Sequence, residues 1–202
     1  MLAILLLAGC AARMAPPAGF PEPAVVFAAT GRGDLAPGYH IGPYRVERPT
    51  GGWSAGPDAT GTGLVPEVVG FGFELVGPTG TPRVVRCEAG RARPPGPGGM
   101  SVLEDALTCT AEGLVLRLGR SVEVRGELAL AGRTLAVEPV RQPGGLAGPV
   151  LAGVAIREGE RLLAAVDLLG SGTLLVGADV AEADRERFAL VAAALLGWPP
   201  PR

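Results

Sequence analysis

The chain has no lysine and only one histidine, and each shortage excludes a class of function. All 18 basic residues among the 202 are arginines, and against 20 acidic residues they leave a formal net charge of −2 at pH 7. This balance argues against nucleic acid as a partner. Without lysine, the Gly-Lys-Ser/Thr sequence of phosphate-binding loops is absent. Two isolated cysteines, Cys87 and Cys109, and one histidine, His40, do not make a metal-ligand set. We therefore expect no metal and no other cofactor.

Long apolar runs are missing too, although the chain as a whole is apolar. No stretch of 18 apolar residues occurs, so we expect no membrane-spanning helix in the mature chain. Yet 48% of the residues are hydrophobic and the mean hydropathy is +0.33, which is too apolar for a chain that stays disordered. This composition is typical of a folded domain with a sizeable core.

Residues arranged for catalysis are scarce. Residues 52–56, GWSAG, fit the G-x-S-x-G pattern of the serine hydrolase elbow, which needs a strand before the serine and a helix after it. Here turn-forming residues stand on both sides, and His40 precedes Ser54 instead of following it. Glu104 and Asp105 are adjacent, so in a strand they would face opposite sides. We predict no catalytic residues, with a hydrolase that uses Ser54 as the alternative.

The beginning of the chain carries its most specific pattern. An apolar run leads into Leu7-Ala8-Gly9-Cys10, in which small residues at 8 and 9 precede a thiol. This sequence resembles the lipobox of bacterial lipoproteins, where a peptidase cuts before a cysteine that already carries a diacylglycerol. The resemblance implies that residues 1–9 are a signal peptide and that Cys10 is lipidated. The alternative is an ordinary buried strand or helix that ends in a cysteine.

A proline-rich segment follows the cysteine. Residues 11–23, AARMAPPAGFPEP, contain four prolines and few residues able to build a core. Proline-rich linkers behave as extended, semi-rigid spacers. We therefore predict a tether over residues 10–38 and a single β-rich domain over residues 39–198.

The two cysteines that remain suggest a disulfide. An even number of cysteines is typical of pairing in an oxidising compartment. Cys87 and Cys109 lie in the strand-like stretches VVRCEA and ALTCTA, which a Gly/Pro-rich segment separates. A disulfide between them would stabilise the fold by about 3 kcal/mol in the chain-entropy model. Two buried free thiols are the alternative.

The middle of the chain is patterned for β-structure. Within residues 67–76, Phe71, Phe73 and Leu75 alternate with glycine or a charged residue, which is the period of a strand with one buried face. Further strand-like stretches lie at 39–48, 82–89, 102–110, 114–118, 122–124, 128–130, 134–141, 150–157, 160–168 and 172–177. About 10–12 short strands at this spacing predict a mainly β fold, either an antiparallel barrel or a sandwich.

Several residues between these stretches predict turns. Residues 119–120 (GR) and 131–133 (AGR) are typical of tight hairpin turns, and Gly126 predicts a bulge or bend. Asp167 ends an otherwise apolar strand, and we expect its carboxylate to accept hydrogen bonds from the following turn.

The C-terminal segment breaks the alternation. Residues 181–198 are rich in Ala, Leu, Glu and Arg, which predicts a helix capped by Asp179 or Asp184 and stopped by the prolines that follow. Residues 188–196 are apolar on every face, so the helix must be buried. At about 16 Å, this apolar part is far too short to cross a bilayer.

A large barrel around this helix would bury it on all sides. The successive segments GERLLAAVD (159–167), GTLLVGA (172–178) and FALVAAALLGW (188–198) resemble the end of a tubby C-terminal-like domain, a superfamily that includes phospholipid scramblases. The resemblance implies a closed barrel of about a dozen strands around one hydrophobic helix, with Val191 and Leu195 almost fully buried. It also implies contact with lipid or protein and not hydrolysis, although no basic lipid-binding patch can be matched residue by residue.

These observations predict a lipoprotein of the bacterial cell envelope that faces the periplasm or the exterior. Its expected contacts are the membrane, through the lipid on Cys10, and an envelope protein or lipid ligand. We expect its role to be binding or structural, without catalysis.

Overall fold

The protein is a closed β-barrel that encloses one helix. A computed structural model describes residues 13–32, 38–55, 65–93, 105–120, 124–143 and 148–198. Within these ranges, twelve antiparallel strands form the barrel and the helix lies at the C-terminal end. The predicted mainly β fold is confirmed, as a barrel and not a sandwich. The elements are β1 (Ala24–Thr30), β2 (Gly38–Ile41), β3 (Tyr44–Ala55), β4 (Val65–Val76), β5 (Pro82–Arg93), β6 (Asp105–Ala111), β7 (Leu114–Arg120), β8 (Val124–Leu130), β9 (Arg133–Pro143), β10 (Pro149–Glu158), β11 (Arg161–Asp167), β12 (Thr173–Gly177) and α1 (Glu182–Gly197).

The strands follow one another around the barrel in chain order. Each pairs with its sequence neighbours, and β1 closes the barrel by pairing with β12. Because the strands alternate in direction, their connections alternate between two ends of the barrel. We call the end with the turns at 42–43, 77–81, 112–113, 131–132 and 159–160 the hairpin end. The opposite end, which includes residues 31–32 and 168–172, is the loop end.

The alternation read from the sequence separates the inside of the barrel from its surface. In β4, the side chains of Phe73 and Leu75 are buried in the core and Phe71 packs against it. In β7, Leu116 is fully buried and its neighbour Arg117 is exposed. Side chains at every second position therefore point inward, where they meet the helix.

The helix passes through the barrel from end to end. Its 16 residues span about 24 Å, with Glu182 at the hairpin end and Gly197 at the loop end. The nine residues 188–196 are all buried, and Val191 and Leu195 are only 1% and 5% exposed, as predicted. A helix with apolar side chains on every face thus meets strands on every side.

Of the helices in the described ranges, none combines the length and the apolar character needed to cross a bilayer.

The predicted helix caps are wrong. The N-cap is Ala181, whose methyl side chain cannot accept a hydrogen bond from the N–H groups of the first turn. Asp179 and Asp184 are instead engaged by arginines of the barrel: Asp179 pairs with Arg161, and Asp184 with Arg133. An ion pair with a guanidinium competes for the carboxylate that would otherwise accept the helical N–H groups.

The barrel begins earlier than the sequence led us to expect. β1 lies within the segment 10–38 that was predicted as a tether, and it pairs with both β12 and β2. Its sequence, AVVFAAT, lacks the alternation that marked other strands, because almost every residue is apolar. Phe27 packs against the core and contacts the ring of Tyr44 edge-on, with 5.7 Å between ring centroids.

One predicted turn is confirmed, whereas the predicted turn at 119–120 and the predicted bulge or bend at Gly126 are wrong. Ala131 and Gly132 both have positive φ, as a two-residue hairpin turn requires, so that turn is confirmed. Residues 119–120 are instead the paired end of β7, and the β7–β8 connection at 121–123 lies outside the described residues. At Gly126 the register is continuous; a Cβ there would overlap the carbonyl oxygen of Arg117, so close strand approach requires the glycine.

Candidate functional site

Of the residues predicted to be functional, the structure describes Cys87 and Cys109, and these two lie together. Cys10 lies outside the described residues. Cys87 and Cys109 face each other across β5 and β6, with their Sγ atoms 2.08 Å apart, which is a disulfide-bonding distance. Both point into the barrel and are at most 2% exposed. This pair therefore ties neighbouring strands together inside the core and offers no surface for reaction with a substrate.

The serine hydrolase alternative finds no support in the backbone. Ser54 lies within β3, where it pairs with Val68 of β4, and not on the turn between a strand and a helix. His40 lies in β2, is exposed, and faces Thr30 and Arg45 across the two adjoining strands. The elbow geometry that exposes a nucleophile is therefore missing at this serine.

The N-terminal segment is the part of the surface that sequence reasoning missed. Residues 13–23, which we call the strap, run along the outside of the barrel from the loop end to the hairpin end. At the loop end, the N–H of Met14 donates a 3.0 Å hydrogen bond to Oδ2 of Asp167. At the hairpin end, Pro21 packs close to Gly177, the last residue of β12. The expected tether is thus, over this length, part of the packed structure.

Asp167 is the residue that fixes the strap. Its side chain is 3% exposed, and it is the one buried charged residue among those whose burial the structure describes. Oδ1 accepts a 2.7 Å hydrogen bond from the N–H of Leu169, which is the turn bond that the sequence predicted. Oδ2 accepts from Met14, a partner 153 residues earlier in the chain. A buried carboxylate needs such donors, because leaving either oxygen unpaired would cost free energy.

An apolar cluster on the outside of the barrel holds the strap in place. Met14 is 6% exposed and packs with Ala152, Ala165 and Leu175 of the three last strands. Phe20 packs against the same cluster from the other half of the strap. Outward-facing Ala and Leu residues on these strands would otherwise meet water, so the strap covers a second, smaller core.

A groove runs between the strap and strands β9 and β10. Its volume is about 290 Å³. Pro16 and Pro17 form one wall, while the other carries the Arg157–Glu138 ion pair at 3.2 Å. At one end, Nε2 of Gln142 donates to the carbonyl oxygen of Ala15 over 3.5 Å. The groove is open to solvent, and its lining combines these prolines with the charged side chains of Glu138, Arg141 and Arg157.

Ion pairs surround the helix at the hairpin end. Arg83 pairs with Glu186 at 2.7 Å, and Arg133 pairs with Asp184 at 2.5 Å. The hydrogen bond to Asp184 raises the pKa of the Arg133 guanidinium further above its usual value. The helix dipole stabilises acidic residues in the first turn, such as Asp184. The arginines pair with the carboxylates of the helix, so these charges stabilise the fold.

The buried Tyr44 belongs to the same end of the barrel. Its hydroxyl donates a 3.1 Å hydrogen bond to Oε1 of Glu182. Burial, and after it the negative charge of Glu182, raise the pKa of the phenol well above its usual range. A phenol that stays protonated and donates to a carboxylate orients the start of the helix and does not act as a base.

At the loop end, residues outside the helix bond its last carbonyl groups. Arg32 donates to the carbonyl oxygen of Leu196 at 2.8 Å, and the hydroxyl of Tyr39 donates to that of Ala193 at 3.2 Å. Burial raises the pKa of Tyr39 to about 12. These donors replace the basic residues that the last turn of the helix lacks.

Comparison with known proteins adds nothing to this geometry: no protein-family model, no curated protein and no solved structure matches the chain.

Proposed function

We propose that this protein is a lipid-anchored component of the bacterial cell envelope. The observation that carries the proposal is Leu7-Ala8-Gly9-Cys10 at the end of an apolar run. In this proposal a peptidase removes residues 1–9, Cys10 carries a diacylglycerol, and the barrel faces the periplasm or the exterior. Two acyl chains on one residue satisfy the requirement that stable anchoring needs more than a single chain.

The strap determines what a lipid on Cys10 would be attached to. Only three residues separate Cys10 from Met14, the strap residue that is bonded to Asp167. A lipid on Cys10 would therefore be coupled directly to the folded barrel and not to a long flexible linker.

The proposed role of the barrel is binding or structural, without catalysis. Its interior is filled by the helix and by the inward-facing side chains, so the barrel leaves its outer surface for contacts. The arginines and carboxylates around the helix pair with each other, as expected of charges that stabilise a fold. The groove beside the strap is where we expect an envelope protein or a lipid ligand to bind.

The likeness to the tubby C-terminal-like domain stays part of this proposal. The enclosed C-terminal helix is the feature that supports it. If the likeness holds, the barrel binds a lipid or a protein. The likeness does not indicate which residues form that contact.

Fractionation of cells that express Cys10→Ser tests the anchor. We expect the wild-type protein in the membrane fraction and the variant in the soluble envelope fraction, because the serine hydroxyl cannot take the lipid. Ala12→Ser is the matched control, since it changes a nearby residue and leaves the thiol. A Cys10→Ser variant that stays on membranes as the wild type does would contradict the proposal.

Crosslinking in the native envelope tests the binding role. A photoreactive residue at Ala18, which lines the groove, is compared with one at Glu112 of the hairpin end. We expect discrete crosslinked products from position 18 that are weaker or absent from position 112. Equal products from both positions would argue against the groove as the binding site.

A further inference from the structure

We infer that the loop end of the barrel faces the membrane and that the hairpin end points away from it. This inference rests on the proposed lipidation of Cys10. The partner it assigns to the loop end is a phospholipid headgroup surface. The position of Met14 on the barrel and the short reach of the chain before it determine this orientation.

Met14 fixes the start of the strap at the loop end. Its N–H bonds to Asp167, the last residue of β11, which immediately precedes the loop-end turn at 168–172. Its side chain is 6% exposed among Ala152, Ala165 and Leu175. Moving Met14 elsewhere would expose this cluster and leave one oxygen of a buried carboxylate without its donor.

The chain between the lipid and Met14 is short. Four residue steps separate Cys10 from Met14, and even a fully extended chain covers only about 14 Å in four steps. A diacylglycerol places the cysteine that carries it at the level of the headgroups. The loop end must therefore lie within about that distance of the bilayer surface.

The hairpin end is out of reach of the same tether. The helix joins the two ends and spans about 24 Å. If the hairpin end faced the membrane instead, the chain from Cys10 would have to run the length of the barrel before reaching Met14. An extended chain of four steps is too short for that path.

Energy transfer to labelled vesicles tests the orientation. The lipidated full-length protein is reconstituted into vesicles of phosphatidylethanolamine and phosphatidylglycerol that carry an acceptor dye on their headgroups. Donor dyes are attached to Ser171→Cys at the loop end or to Glu112→Cys at the hairpin end, both at exposed positions. The native Cys87 and Cys109 are paired inside the barrel, so the introduced thiol is labelled selectively.

We expect transfer from position 171 to be several-fold stronger than from position 112. Inserting ten Gly and Ser residues between Arg13 and Met14 serves as the control. This linker adds about 16–19 Å of root-mean-square reach, so it should weaken transfer from position 171 and reduce the difference between the two donors.

The possible failures are distinguishable. Equal transfer from the two donors, or stronger transfer from position 112, in protein that binds vesicles through its lipid would overturn the orientation and leave the anchor intact. Protein that carries no lipid and does not bind the vesicles would overturn both the orientation and the proposed function.

Discussion

The backbone N–H of Met14 donates a 3.0 Å hydrogen bond to the carboxylate of Asp167, which lies 153 residues later in the chain. This contact joins a proline-rich segment to the end of an apolar strand, β11. The segment is the strap, residues 13–23, packed on the barrel, and the carboxylate is a buried acceptor with two backbone donors.

Asp167→Ala should destabilise the protein by about 2–3 kcal/mol, because hydrogen bonds to a charged group contribute more than neutral ones. Urea unfolding of the purified protein measures the change. Asp179→Ala is the matched control: Asp179 is 62% exposed and pairs with Arg161, so its loss should cost about 1 kcal/mol or less. Equal stability of the two variants would show that the strap is not fixed by Asp167.

The two tyrosines should make the stability of the protein fall at high pH. Burial raises the pKa of Tyr39 to about 12 and that of Tyr44 still further, whereas a phenol in the unfolded chain ionises near pH 10. Their contribution is therefore complete below about pH 10 and is lost as the pH rises from about 10 towards 12. The chain has only these two tyrosines, so phenolate absorbance reports on them alone.

In the folded protein, phenolate absorbance should thus appear well above pH 10, and in the urea-unfolded protein near pH 10. Tyr39→Phe should remove part of the alkaline loss of stability. Ionisation of both phenols near pH 10 in protein that is still folded would contradict the burial of these side chains.

Alkylation of the unfolded protein without reductant should leave Cys87 and Cys109 unmodified, since the two residues are direct partners across β5 and β6. With reductant, both should react. Replacing both cysteines by alanine should lower the free energy of unfolding by about 3 kcal/mol, mainly by freeing the unfolded chain. Two thiols that react without reductant in exported protein would exclude the disulfide.

Leu190→Ala should destabilise the protein by about 2–5 kcal/mol, because it opens a cavity between the helix and the barrel. Leu190 is 2% exposed, whereas Val26 on the outside of β1 is 61% exposed. Val26→Ala is therefore the control, with an expected change within about 0.5 kcal/mol. Thermal unfolding of the two variants compares them directly, and equal melting temperatures would contradict the central position of the helix.

The elements of the barrel could be predicted where a local sequence pattern is typical of one kind of secondary structure. Period-two alternation around Phe73 and Leu75 located β4, and uniform apolarity from 188 to 196 indicated a helix buried on every side. The same criterion missed β1, since AVVFAAT has no polar alternation and follows four prolines. A continuous apolar run does not separate a strand from other buried structure.

Apart from the Cys87–Cys109 pair, contacts between residues far apart in the chain were not predictable. The sequence marked Asp167 as a turn acceptor, which is its local bond to Leu169, but gave no sign of Met14 as a second donor. The helix caps were wrong for the same reason. Asp184 lies near the start of the helix, where a cap is expected, but its partner Arg133 lies in β9, 51 residues earlier in the chain.

The mass of the mature N-terminal peptide, measured on protein extracted from membranes, tests the account most directly. We predict a peptide that begins at Cys10 and carries a diacylglycerol on its sulfur, with residues 1–9 absent. A peptide that still contains residues 1–9, or a Cys10 that reacts as a free thiol, would contradict the lipid anchor.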